Sequence, residues 1–250
     1  MYRTATADPV IRRAEVALPG LAQPLRAILL SDIHVAQPDM PPERLARIVA
    51  QVNALRPDLV LIAGDFVGDG WLQTEVLPRD AVAPLRGLRT RLGTYAVLGN
   101  HDHWNDAPAI GAALRENGIR LLVNEAVQAG PLALGGLDDD FTRRADMSRT
   151  LRAMEGLAGA RLLLSHDPDP FAHMPRDVPL MLAGHTHCGQ ISFPLIGAIT
   201  YESDYGARYG CGEVEEEGRR LIVGGGLGTS VLPLRLGAVP ELWLIELRPA

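Results

Sequence analysis

Seven side chains that can bind metal ions come directly after short apolar runs of the sequence. Runs such as Leu59–Ala63 and Leu180–Ala183 are bounded by turn residues, which predicts buried strands. The side chains that follow the runs are Asp32, His34, Asp65, Asn100, His166, His185 and His187. Because ligands collect at the carboxyl ends of the strands in an open α/β sheet, we expect these groups to meet at one edge and hold two metal ions.

The spacing of these side chains suits metal binding. In Asp32-x-His34 and in His185-x-His187, alternate residues of an extended strand end project to the same side. Asp65 follows a glycine, which leaves its carboxylate free to bridge two ions. Oxygen and nitrogen ligands together suit Mn²⁺, Fe or Zn²⁺ better than Ca²⁺. A single Asp-x-His or Gly-Asp pair is usually only a turn, so the prediction rests on the agreement of five strand ends.

Length and charge limit the class of protein. The 250 residues fit one domain, 1–250, with a large core. The net charge of −6 argues against a broad nucleic-acid surface. All 24 basic residues are arginine, which excludes lysine Schiff-base chemistry and a P-loop lysine. Arg143 and Arg144 are candidates to bind a substrate phosphate, with a solvated loop as the alternative.

Cysteine usage and hydropathy bear on location. No apolar stretch approaches the ~20 residues of a membrane span, and residues 1–17 lack the apolar core of a signal peptide. Cys188 and Cys211 are too few for a disulfide framework. We therefore expect a reducing compartment and a cytoplasmic location, with peripheral membrane contact and a Cys188–Cys211 disulfide as open alternatives.

The elements between the motifs predict an α/β fold. Helical periodicity is clearest over 43–56, and further helices are expected over 107–118 and 148–157, the last with Ser148 as N-cap. Strands alternate with helices through the first hundred residues, which predicts parallel pairing. Late strands are expected over 220–223 and 241–247, the second covered on both faces. We expect two sheets packed face to face with helices outside.

The motifs together resemble those of the calcineurin-like metallophosphoesterase family. The family pattern is Asp-x-His, Gly-Asp, Gly-Asn-His-Asp/Glu, His and Gly-His-x-His, and every part is present here in order, at 32–34, 64–65, 99–102, 166 and 184–187. The resemblance covers roughly residues 10–248. Its 184–190 segment is similar to a bacterial branch that usually has glycine where this chain has Cys188. The resemblance implies a four-layered α/β/β/α sandwich, with two mixed β-sheets flanked by helices.

The resemblance also implies a role for each site residue. Two divalent ions, with Mn²⁺ favoured and Fe or Zn²⁺ as alternatives, would share Asp65 as a bridging carboxylate. One ion would take Asp32, His34, Asp65 and His187, and the other Asp65, Asn100, His166 and His185. His101 would bind neither ion but act as general acid or stabilise the transition state, and Asp102 would orient it.

The implied activity is hydrolysis of small phosphate mono- or diesters by a metal-activated water. A second interpretation is a pyrophosphatase for a nucleotide-linked lipid precursor of the UDP-diacylglucosamine type. A third is a non-catalytic metal-binding scaffold, which the intact set of ligands and His101 disfavours.

Overall fold

Two six-stranded mixed sheets form the centre of the molecule in the computed structural model, which describes residues 1–250. The strands are β1 (Val10–Leu18), β2 (Leu25–Leu30), β3 (Ala36–Gln37), β4 (Leu59–Ala63), β5 (Thr74–Glu75), β6 (Thr94–Val97), β7 (Arg120–Leu121), β8 (Glu125–Ala129), β9 (Leu132–Gly136), β10 (Ala160–Leu164), β11 (Leu180–Ala183), β12 (Ser192–Phe193), β13 (Gly197–Ala198), β14 (Gly212–Glu216), β15 (Arg219–Val223) and β16 (Glu241–Pro249). The α-helices are α1 (Tyr2–Ala5), α2 (Pro42–Ala54), α3 (Pro78–Val82), α4 (Asn100–Trp104), α5 (Ala107–Glu116) and α6 (Met147–Met154).

The first sheet has the strand order β1-β16-β2-β4-β6-β7. Strands β2, β4, β6 and β7 run parallel, as the alternation of strands and helices predicts. Strand β16 pairs antiparallel with β2, and β1 pairs parallel with β16, so these two strands run opposite to the other four. The carboxyl ends of β2, β4 and β6 therefore lie at the same edge of the sheet.

The second sheet has the order β14-β15-β11-β10-β9-β8. Its four central strands are parallel, and the two outer pairs are antiparallel hairpins. Two further antiparallel pairs of short strands, β3–β5 and β12–β13, lie outside the main sheets. Strands β10 and β11 carry the remaining predicted metal ligands at their carboxyl ends.

The layers confirm the expected α/β/β/α sandwich. A core of 26 buried residues lies between the two sheets, and a second of 25 lies between the first sheet and helices α2, α3 and α5. Along β2, Ala27 and Leu29 belong to the first core and Ile28 and Leu30 to the second. Both faces of the strand are thus buried, which explains why the runs are continuously apolar rather than alternating. A smaller cluster covers the outer face of the second sheet, near α6.

Several local predictions need correction. The predicted helix over 148–157 begins at Met147, and its N-cap is Asp146 rather than Ser148, since Asp146 accepts a hydrogen bond from the Arg149 N–H. Strand β1 was not predicted. Its inward residues Ala14, Val16 and Leu18 alternate with exposed ones, because only one face of β1 meets the core between the sheets.

The two late strands are confirmed, and the central residues of β16 are buried on both faces. No helix in the structure combines the length and the apolar character needed to cross a membrane.

Candidate metal centre

The predicted ligands meet at one edge of the two sheets. The loops after β2, β4, β10 and β11 carry six of them, and Asn100 is the first residue of α4, directly after β6. Of the seven side chains, His185 is the most exposed, at 6%. The seven residues that come together are Asp32, His34, Asp65, Asn100, His166, His185 and His187.

One group of donors forms around His34. Its Nε2 lies 3.1 Å from Nε2 of His187 and 3.3 Å from Oδ2 of Asp65. Oδ1 of Asp32 lies 3.6 Å from Nε2 of His187. Donor atoms of Asp32, His34 and His187 all lie within 4.8 Å of one another, which is close enough for a single ion to touch all three.

A second group forms around His166. Its Nε2 lies 3.0 Å from Oδ1 of Asn100, 3.1 Å from Nδ1 of His185 and 3.3 Å from Oδ2 of Asp65. Oδ2 of Asp65 is therefore equally distant from Nε2 of His34, in the first group, and from Nε2 of His166, in the second group. Its other oxygen, Oδ1, accepts a hydrogen bond from the His101 backbone N–H.

The donor set fits divalent transition-metal ions. Burial lowers the pKa of His34 and of His185 to about 3, and burial also lowers the pKa of His187 well below its usual value. These imidazoles are neutral at pH 7 and offer lone pairs, as metal ligands must. Oδ2 of Asp32 is buried and has no hydrogen-bond partner. Imidazole nitrogens mixed with carboxylate and amide oxygens suit Mn²⁺, Fe or Zn²⁺.

The two buried carboxylates have opposite pKa shifts. Burial raises the pKa of Asp32 to about 6, with the nearby charge of Asp65 adding to the rise. Burial also disfavours the charged form of Asp65, but His166 and His34 outweigh it and hold the pKa of Asp65 well below the usual value. Asp65 is thus ionised at neutral pH, which is the state a bridging ligand requires.

Two glycines, Gly64 and Gly99, allow the loops that carry the metal donors to pack closely against His166. Gly64 has φ of 78°, and a Cβ added there would lie 2.6 Å from the Gly99 nitrogen and 2.8 Å from Nδ1 of His166. A Cβ on Gly99 would lie 2.7 Å from Nε2 of His166. These contacts are too short for any side chain. The glycines before Asp65 and before Asn100 are therefore required by packing at the site.

Five of the ligand positions have left-handed backbone. The φ angles of Asp32, His34, Asp65, His185 and His187 lie between 45° and 71°. Such angles are unfavourable for residues other than glycine and cluster at functional sites. The sharp turns lift each side chain out of its strand and direct it to the shared edge.

His101 lies beside the donor groups: one of its ring nitrogens is within 4.8 Å of donor atoms of His34 and Asp65, but its ring forms hydrogen bonds to other residues. Its Nδ1 is 2.6 Å from Oδ1 of Asp69, and its Nε2 is 3.2 Å from Oγ of Ser230. Burial lowers the pKa of His101, but the hydrogen bond to Asp69 and the charge of Asp65 raise it above its usual value. Asp69 therefore fixes one ring nitrogen and favours the protonated form.

A pocket of about 380 Å³ opens onto this edge. The site residues in its wall include Asp65, Asn100, His101, His185 and His187, and the rest of its wall is largely apolar. The indole of Trp104 is one of the aromatic side chains that line it. The opening gives a substrate direct access to the metal donors and to His101.

Comparison with protein-family models decides the family. The model described as calcineurin-like phosphoesterase matches residues 25–189, which is more than half of the chain and includes all seven clustered ligands. The chain belongs to the calcineurin-like phosphoesterase family.

Curated relatives of this chain support the same family membership. YkuE of Bacillus subtilis, named an uncharacterized metallophosphoesterase, is 31% identical and the match covers 89% of this chain and 79% of YkuE. The bovine transmembrane protein with metallophosphoesterase domain is 32% identical over 98% of this chain and 59% of its own length. An uncharacterized metallophosphoesterase of Helicobacter pylori is 29% identical over 97% of this chain and 65% of its own. The chain thus spans less than two thirds of these last two relatives.

Among solved structures, the TT1561 protein of Thermus thermophilus has a TM-score of 0.50 with 13% identity. The match covers 81% of this chain and 90% of that one. At this identity the likeness concerns the fold alone, and it agrees with the phosphoesterase sandwich.

The contact predicted between Asp102 and His101 is absent in this phosphoesterase domain. Asp102 is fully buried and accepts hydrogen bonds from the backbone N–H groups of Asp65, Phe66 and Gly99, at 2.8–3.0 Å. It fixes the loop that carries Asp65 to the start of α4. Asp69, which no motif in the sequence indicated, is the carboxylate that contacts His101.

The edge of the sheets that carries the metal donors also contains a buried cation. Arg235 is fully buried, and its Nη2 lies 3.3 Å from Nδ1 of His187 and donates to the Gly228 carbonyl oxygen at 2.6 Å. Burial lowers the pKa of Arg235 to about 10, so it remains charged at neutral pH. The glycine loop 224–228 packs on the Asp32 loop, where the Gly228 N–H donates to the Asp32 carbonyl oxygen.

The two cysteines form a disulfide, the alternative that the sequence did not favour. Cys188 follows His187 directly, and Cys211 lies just before β14. The bond removes the cysteine-based argument for a reducing compartment and a cytoplasmic location. It ties the loop of the His187 ligand to the beginning of the outer hairpin of the second sheet.

Proposed function

We propose that this chain is a binuclear metal-dependent phosphoesterase that hydrolyses phosphate mono- or diesters. The observation that carries the proposal is the position of Asp65 Oδ2, 3.3 Å from a nitrogen of His34 and 3.3 Å from one of His166. A single carboxylate oxygen shared by two clusters of nitrogen and oxygen donors is the arrangement that a bridging ligand needs.

The proposed ligand sets follow the two clusters. Asp32, His34, Asp65 and His187 would hold one ion, and Asp65, Asn100, His166 and His185 the other. Two divalent ions in such a site polarise the phosphoryl oxygens and lower the pKa of a water that attacks phosphorus. Mn²⁺ is the proposed occupant, with Fe or Zn²⁺ as alternatives.

The residues of the chain itself position the ester and move a proton. His101 presents Nε2 to the pocket while Asp69 accepts the Nδ1 proton. In this orientation His101 can stabilise charge on the phosphoryl oxygens and protonate the leaving alkoxide at Nε2. Asp69 would stabilise the imidazolium form between turnovers.

The metal dependence gives the direct test. Protein stripped with a chelator should lose hydrolysis of phosphate mono- and diesters and regain it with Mn²⁺, and elemental analysis should find two ions per chain. A panel of phosphomonoesters, phosphodiesters and nucleotide-sugar pyrophosphates would identify the substrate class. Full activity in the chelator-treated protein would overturn the proposal.

The role of Asp69 leads to a separate prediction. Asp69→Asn should lower kcat for an alkyl phosphate ester by about 10- to 100-fold, the usual loss when a partner of a site histidine is removed. The metal content should not change, because Asp69 contacts His101 and none of the clustered ligands.

Asp102→Asn is the matched control for Asp69→Asn. An asparagine has one acceptor oxygen and cannot replace both carboxylate oxygens of Asp102, which accept from three backbone N–H groups. We expect a lower melting temperature, with no selective effect on esters that have poor leaving groups. If Asp102→Asn instead lost activity selectively on esters with poor leaving groups, and Asp69→Asn only lowered the melting temperature, Asp102 would be the partner of His101.

A further inference from the structure

Part of the pocket wall, beside the metal donors, is apolar, and its Phe141 ring lies 4.8 Å from the ring of His185. This part contains Trp104, Phe141, Ile191, Ile199, Val231 and Leu232, and no arginine lines the pocket at all. Arg143 and Arg144, the sequence candidates for phosphate binding, are exposed and lie outside this lining. The part of a substrate that extends beyond its phosphate group therefore meets aliphatic and aromatic side chains.

An apolar rim lies beside this pocket, and two of its residues, Ile199 and Val231, line the pocket directly. We define the rim as Trp71, Leu72, Leu195, Ile196, Ile199 and Val231, all exposed. Leu195 and Ile196 form the tip between β12 and β13, and Leu195 is as exposed as in an extended chain. Apolar side chains gathered in this way on a surface mark an interaction site.

Backbone contacts join the two sides of the rim to the pocket. The Trp71 N–H donates to the Val231 carbonyl oxygen at 3.1 Å, and Val231 lines the pocket. On the other side, the Ile199 N–H donates to the Ile191 carbonyl oxygen at 3.1 Å, and both residues line it. The rim is thus continuous with the apolar wall that leads to the metal donors.

The rim is built at a conformational cost. Leu195 has φ of 70° and Val231 has φ of 62°. Left-handed backbone is unfavourable for both, and most of all for the β-branched valine. Polar turn residues or glycine would adopt these angles more easily, so stability alone does not explain exposed Leu and Val there.

We propose that the rim is a docking surface for a lipid bilayer, and that the substrate is a phosphate ester with a hydrocarbon substituent presented at that bilayer. This inference rests on the proposed phosphoesterase function. A bilayer seated on the rim would deliver an amphiphilic ester with its phosphate at the donors and its hydrocarbon along the apolar wall, because Ile199 and Val231 belong to both the rim and the wall.

The charges around the pocket indicate how the rim would bind. The pocket lining includes the acidic Glu202 and no arginine, and the chain has a net charge of −6. Attraction to anionic lipid headgroups is therefore not the driving force. Insertion of Leu195 and Ile196 into the hydrocarbon, with Trp71 at the level of the headgroups, accounts for binding without electrostatic attraction.

The docking test uses two variants that add the same charge. Leu195→Asp/Ile196→Asp places two carboxylates on the rim, and Ala22→Asp/Gln23→Asp places two on the exposed loop between β1 and β2, at the opposite end of the strands. Cosedimentation with uncharged phosphatidylcholine vesicles should be unchanged in the second variant. It should weaken by about tenfold or more in the first, since two aliphatic side chains no longer enter hydrocarbon. Circular dichroism and metal content check that both variants fold.

The substrate test uses p-nitrophenyl phosphodiesters whose second alcohol is methyl, octyl or hexadecyl, assayed with Mn²⁺. We expect kcat/KM to rise by about tenfold or more from methyl to octyl, because the added methylenes are buried on the apolar wall. Hydrolysis that is equal for all three esters, in a protein that does not bind vesicles, would overturn the inference and leave the proposed function standing.

Two other outcomes are also decisive. If none of the esters is hydrolysed, the proposed function fails, and the substrate part of the inference fails with it. If sedimentation shows a dimer that Leu195→Asp/Ile196→Asp dissociates, and vesicles are not bound, the rim is a contact between two copies of the chain and bilayer docking is wrong.

Discussion

Asp65→Ala is expected to remove both metal ions and to lower kcat by at least about 10³-fold, since the phosphoryl group loses the charge stabilisation of the whole centre. The reason is geometric. Oδ2 of Asp65 is equally close to His34 and to His166, so its loss affects both donor clusters. Elemental analysis and turnover of a phosphodiester measure the two effects independently.

The control for this prediction is Asp65→Asn. Its amide oxygen can still accept the hydrogen bond that the His101 N–H gives to Oδ1, so the loop should keep its shape. The negative charge is lost, and we expect weaker metal binding than in the parent but a melting temperature closer to it than that of Asp65→Ala. Two ions at full occupancy in Asp65→Ala would refute the bridge.

His101→Ala has the second largest expected effect. The rate should fall by roughly 10²–10⁴, as is usual when a general acid–base group is lost, while both metals and the fold remain. The His101 ring forms hydrogen bonds with Asp69 and Ser230, and neither belongs to the donor clusters. Its removal should therefore leave the metal content near two ions per chain.

The leaving group separates the two roles of His101. Nitrophenolate needs little protonation, so the loss should be smaller for a nitrophenyl ester than for an alkyl ester. An equal loss on both esters would assign His101 to charge stabilisation alone. Loss of a metal ion in this variant would contradict its position outside the ligand sets.

The fold and the ligand clusters could be predicted because the central strands are buried, and burial restricts those positions to apolar residues. The strands β2, β4 and β11 are covered on both faces, so each contains an unbroken run of four or more apolar residues, and parallel pairing brings the ends of β2 and β4 together. Strand β1 lacks this signal, since only one of its faces meets the core and it carries two arginines.

The contacts around His101 could not be predicted in the same way. Asp102 is adjacent to His101 in sequence, but α4 turns its carboxylate back toward the Asp65 loop. Asp69 is 32 positions away and reaches His101 through the loop after β4. Its position between Gly68 and Gly70 is the only local hint, and a loop of this kind has no periodicity that would reveal its path.

The bond between Cys188 and Cys211 closes residues 188–211 into a covalent ring that contains the exposed tip at Leu195 and Ile196. A protease that cuts at this tip would leave two polypeptides still joined by sulfur. The cut protein should migrate as one species on a non-reducing gel and as two after reduction. The most exposed part of the chain can therefore be severed without release of the segment that completes the second sheet.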